Sequence, residues 1–128
     1  MNITLSQAIK FPNFYREIQD LKLPIKTVHK LSRISKELAF HIDFYWENLQ
    51  KITLEYAQFN DDGTPRLTED GEGILLIPGR IQECSKKIDE LGALTIELAD
   101  ALKINISDLE DMELTLQSFE AIEPFIEN

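Results

Sequence analysis

The chain of 128 residues has the length of one ordinary domain, and its 43% hydrophobic content suffices for a single core. Its formal net charge is −10, and no apolar run approaches the roughly 20 residues that cross a bilayer, which excludes a membrane-spanning helix. The lone Cys84 excludes an intrachain disulfide. The opening "MNITLSQAIKFPNFYREIQD" has no basic region followed by an apolar one, so no signal peptide is expected and a cytoplasm is the expected compartment.

The 1–24 segment comes first. Thr4 and Gln7 fit a capping box, and Phe11, Phe14, Tyr15 and Ile18 supply an apolar face that Pro12 should break or kink. A long helix is predicted over 25–59. Leu31, Leu38, Tyr45, Ile52 and Phe59 recur every seven residues, interleaved with Ile42, Leu49 and Tyr56, and no Pro or Gly interrupts them. At 1.5 Å per residue such a helix would be roughly 50 Å long. Within it "FHIDFYW" is apolar on more than one face. Phe40 and Phe44, off the main stripe, should be covered by the N-terminal segment, since aromatics at helical spacing are usually core. The competing reading is a partner docking on the patch, and Phe40, Phe44 and Trp46 are the candidate partner-binding residues.

Residues 60–79 form the connector. Its "NDDGTPRLTEDGEG" resembles a calcium loop if Gly63 takes position 6, which places Asn60, Asp62 and Glu69 at ligand positions. Gln58 then stands at position 1, Pro65 at position 8 and the cation Arg66 at position 9, so the fit fails. "DDG" and "EDGEG" are turn signals around the strand-like "TPRLT" and "ILLI", and a small β-hairpin is the simpler reading.

A return helix is predicted over 80–103 from Ile81, Cys84, Ile88, Leu91, Thr95, Leu98 and Leu102, with Gly92 a weak point that need not end it. The fold class is therefore mainly α: a long antiparallel helical hairpin with a small β-hairpin at its tip. In the acidic 104–128 segment "LKINI" suggests a short strand. Ser107 with Glu110 suggests a second capping box, and a terminal helix should turn Leu116, Phe119, Ile122 and Phe125 inward.

The charge is unevenly distributed. Residues 1–88 hold twelve basic and twelve acidic side chains, whereas residues 89–128 hold eleven acids and one base, Lys103. In the opposite sense Lys22, Lys26, Lys30, Arg33 and Lys36 form a run with no acid inside it. The hairpin would bring this run near Glu97 and Asp100, so internal charge pairing is the expected use.

Chemistry is sparse. His29 and His41 stand twelve residues apart on one helix, about 18 Å along its axis, and cannot share a metal unless another part of the chain joins them. No phosphate loop, nucleophile elbow or catalytic constellation occurs. The reading is a non-enzymatic protein with no catalytic residues, no cofactor and no metal.

The order "LKLPIKTVHKLSRISKEL", "EYAQFNDDGTP", "DGEGILLIP" and "INISDLEDMELTLQSFEAIEPFI" resembles a family of small acidic proteins of tailed bacteriophages and prophages, whose function is unassigned. Tyr56, Asp62, Gly63, Pro65, Ser107, Asp108, Leu109 and Glu110 carry the likeness, while Ala57 and Gln58 depart from the family's usual glycine and charge. The resemblance implies a phage origin and a place among virion or assembly genes, in the host cytoplasm or the virion, and supplies no catalytic residues. The expected partner is a protein, whether phage, host or a second copy in a homo-oligomer, with no direct nucleic acid and no membrane. The alternative is an acidic inhibitor of a host nucleic-acid-binding protein, its last forty residues mimicking phosphates in a basic groove.

Overall fold

Thr4 ends the first strand and starts the first helix. In the computed structural model, which describes residues 1–127, β1 (Asn2–Thr4) runs directly into the single turn α1 (Leu5–Ala8). The Gln7 amide donates to Thr4 Oγ1 at 3.1 Å and the Thr4 amide to Gln7 Oε1 at 2.9 Å. The expected capping box thus forms and satisfies two backbone donors that the helix end would leave without partners. α2 (Phe11–Glu17) follows, with Pro12 in its first turn, where its missing N–H breaks no helical bond.

α3 (Ile25–Glu55) has 31 residues and is about 46 Å long. Helix occupies 56% of the chain, well above the roughly one-third of an average globular protein, so the protein is mainly helical. Among the described residues no helix is long and apolar enough to cross a membrane. The stripe expected to reach Phe59 stops at Glu55. Beyond it the Gln58 amide donates to the Leu75 carbonyl at 2.8 Å instead of to the helix, and Phe59 lies exposed.

Residues 56–79 close on themselves. Gln58 donates to Leu75, Leu75 to Arg66, and Arg66 to Gln58, each at 2.8 Å. This ring of three backbone bonds leaves isolated antiparallel bridges at Ala57–Leu76, Phe59–Pro65 and Leu67–Ile74. Gly63, Gly71 and Gly79 turn the chain at positive φ of 87°, 73° and 85°, a region glycine enters without strain.

α4 (Ile81–Gly92) is half the length expected for the return helix. A Cβ on Gly92 would stand 3.3 Å from Ser6 Cβ, so α1 sits against the glycine. Thr95–Glu97, predicted as helix, is instead β2, antiparallel to β1 with Ile3 opposite Ile96. Two causes act together: β-branched Thr95 and Ile96 favour a strand, and the N-terminal strand offers an edge to pair with.

A 3₁₀ turn at Asp100–Leu102 leads to β3 (Ile104–Asn105), the strand read from "LKINI", which lies parallel to β4 (Ile126–Glu127). Between them a second 3₁₀ turn spans Ile106–Leu109, and the Ser107–Glu110 capping box does not form. Asn105 holds the cap position without a side-chain hydrogen bond. α5 (Leu116–Ile122) is capped by Thr115, which accepts from the Ser118 amide at 3.1 Å. Ile122 and Phe125 are buried as expected, but Leu116 points outward at 75% exposure.

The main core lies where both termini meet the first half of α3. Phe11, Phe14 and Ile18 pack with Leu31, Ile34 and Leu38 and with Leu98, Leu102, Ile104, Ile122 and Phe125. Leu5, Tyr45 and Leu91 form a second cluster, joined by Leu49 and Ile52, where α4 meets α3.

Candidate protein-interaction face

A helix turns about 100° per residue. Leu31, Leu38 and Tyr45 therefore fall on one side of α3, and all three are buried. Opposite them lie Phe40, 74% exposed, and Phe44, 40% exposed. The N-terminal segment was expected to cover these rings. It packs instead on Leu31, Ile34 and Leu38, which face the other way.

Trp46 is also exposed, at 51%, but it does not join the same patch. Two residues beyond Phe44, it stands about 160° away around the helix. Its ring lies edge-on to Tyr45, centroids 5.1 Å apart, whereas Phe40 meets His41 edge-on at 5.6 Å. Of the three candidate residues, Phe40 and Phe44 therefore form one surface and Trp46 another.

The basic run also departs from expectation. Asp100 accepts the N-terminal ammonium of Met1 at 2.8 Å rather than a side chain of the run, and this contact holds its carboxyl below the usual aspartate range. Among the described residues Arg33 pairs only with Glu37, one turn along α3, at 3.4 Å, and Lys30 donates to the Lys103 carbonyl at 3.0 Å. Among the described residues Lys22, Lys26 and Lys36 make no ion pair. The outer side of α3 thus carries Lys26, His29, Arg33 and Lys36 ahead of Phe40 and Phe44, all exposed.

The lower end of α3 is fixed by charge and stacking. Lys87 Nζ donates to Glu55 Oε1 at 2.9 Å, which raises the lysine's pKa. Arg80 lies 4.4 Å over the buried Tyr56 ring, a cation–π contact. These contacts hold α4 and the connector to one side and leave the Phe40 side open.

The connector's acids serve its own turns. Asp62 Oδ1 accepts from the Thr64 amide at 3.0 Å and the Thr64 hydroxyl at 2.6 Å, and these bonds lower its pKa. Asp70 accepts from the Thr68 hydroxyl and from the Glu72 amide, with the same effect. Among the described residues no three His, Cys, Asp or Glu side chains gather in a metal-holding group.

A cleft of about 340 Å³ lies between α2 and α5, lined by Lys10, Asn13, Glu17, Gln117 and Ser118. The Ser118 hydroxyl donates to the Glu17 carboxylate there, a link that ties the two helices together. Cys84, on α4, is a free and buried thiol.

That the basic residues share the outer side of α3 with Phe40 and Phe44 was not read from the sequence, because it depends on which side of the helix faces out. The signal was present in the spacing: Lys26, Arg33, Phe40 and Glu47 recur every seven residues, like the buried stripe but on the opposite side. No protein-family model matches the chain, and neither a curated protein nor a solved structure does.

Proposed function

We propose that the chain is a non-enzymatic bacteriophage protein that works by binding another protein, as a virion component or an assembly factor in the host cytoplasm. On this reading α3 and α4 act as an antiparallel helical hairpin, with the β-bridged connector as its tip and the packed termini as its base. The observation that carries the reading is the exposure of Phe40 and Phe44 on the side of α3 turned away from the core. Burying one such ring contributes roughly 1.5–3 kcal/mol, whereas an exposed ion pair contributes about 0–1 kcal/mol and fades with salt.

The test is capture of partners from phage-producing cells by the tagged intact chain at low and high ionic strength. Binding should persist in high salt and be lost in Phe44→Ala. The second reading, an acidic inhibitor of a nucleic-acid-binding protein, has its own support. Glu110, Asp111 and Glu113 are exposed on a segment that Leu109 anchors in the core, which makes a preformed acidic surface. Binding that vanishes in salt and ignores Phe44→Ala would favour that reading and defeat the first.

A further inference from the structure

The charges on the outer side of α3 are ordered. Within about 60° of Phe40 around the axis, the titratable residues before it are Lys26, His29, Arg33, Lys36 and Glu37, and those after it are Asp43, Glu47, Lys51 and Glu55. Basic groups dominate the first half and acidic groups the second, with Glu37 and Lys51 as exceptions. All of these are exposed.

This order opposes the helix's own field. The N-terminal end of a helix favours acids and the C-terminal end favours bases. α3 has no acid in its first turn and no base in its last. Lys26 sits in the first turn and Glu55 in the last. An oppositely directed helix with this same reversed charge order, laid on this side, would bring acids to the first half and bases to the second.

The chain itself supplies such a helix. Arg33 and Glu47 stand seven residues on either side of Phe40. Lys36 and Asp43 stand four and three away. Each pair is equidistant from Phe40 to within one residue, the condition for facing across a two-fold axis in an antiparallel pairing. Such an interface is isologous: each pair occurs twice and the residue on the axis meets its own copy. Phe40 would pack on Phe40 of the second copy, with Phe44 beside it. Lys36 and Asp43 lie to the same side of Phe40 around the helix, as two-fold pairing requires, and Arg33 and Glu47 lie about 20° to either side of it, along the middle of the face.

We infer that the occupant of the α3 outer face is a second copy of this chain, bound antiparallel about a two-fold axis at Phe40. The inference rests on the reading of this face as a protein-binding surface and names its partner. The rings supply the apolar contact, and the charge order sets direction and register.

The test is sedimentation equilibrium of the intact protein with two charge-inverted variants, Arg33→Glu with Lys36→Glu and Asp43→Lys with Glu47→Lys. These positions are exposed, and among the described residues the single ion pair they make is Arg33 with Glu37, so both variants should fold. The parent should dimerise at low salt. Each variant alone should dimerise at least tenfold more weakly, because like charges then face each other. An equimolar mixture of the two should recover a one-to-one heterodimer, and Phe40→Ala should weaken the parent dimer at least tenfold. A parent that stays monomeric would overturn the inference, as would dimerisation indifferent to both inversions or a mixture that fails to recover. A monomer that still captures another protein in a Phe44-dependent way would sink the self-pairing and leave the binding face standing.

Discussion

Phe11→Ala should destabilise the protein by about 3–5 kcal/mol, the range for emptying a buried aromatic site. Phe11 is fully buried in the main core. Its ring stands 5.3 Å from that of Phe125 in an edge-on arrangement and 6.0 Å from that of Phe14. It therefore joins the N-terminal helix to the last turn of the chain. Truncation leaves a cavity in the core cluster to which Leu31, Ile34 and Leu38 of α3 belong. A 31-residue helix held along one side cannot shift to fill that space without lifting its other contacts. The loss should be read as a fall in the urea midpoint with an unchanged slope. A change below about 1 kcal/mol would mean that the termini do not share a core.

Leu102→Ala should cost about 2–5 kcal/mol for the same reason. Leu102 is fully buried and sits in the 3₁₀ turn at Asp100–Leu102, which packs against α3. Leu98, Ile104 and Leu109 anchor the same stretch. The eleven acids of residues 89–128 thus ride on a segment whose apolar side is part of the fold, not on a detached tail. Urea denaturation of Leu102→Ala, followed by far-ultraviolet circular dichroism, checks this. If the variant loses little stability while residues 95–127 become open to protease, the acidic segment is an appendage and the core is smaller than described.

The sequence carried the inner side of α3 well, because Leu31, Leu38 and Tyr45 repeat at a spacing only a helix can present on one side. It also carried the Thr4–Gln7 cap, which depends on residues three apart. It failed where a distant segment decides. Thr95 continues a helical pattern, yet Thr95–Glu97 became a strand because Asn2–Thr4 is there to pair with it. Asp100 was expected to meet the basic run and was taken by the N-terminal ammonium instead, a partner that no local pattern marks. Ser107 and Glu110 have the right spacing for a cap, but the turn there is 3₁₀ and begins at Ile106. The candidate face was half readable. Phe40 and Phe44 stood out as aromatics off the stripe, yet the assignment of Trp46 to the same patch ignored the 100° step, which sends a residue two places on to the far side.

The central claim is that Phe40 and Phe44 serve a surface and not the core. Urea denaturation of the Phe40→Ala, Phe44→Ala double variant tests it most directly, extrapolated to low protein concentration so that association does not contribute. The expected unfolding free energy lies within about 0.5 kcal/mol of the parent for each substitution, as for exposed positions elsewhere. A loss of several kcal/mol, comparable to that of Phe11→Ala, would show that the two rings are buried in the folded protein and would contradict the account.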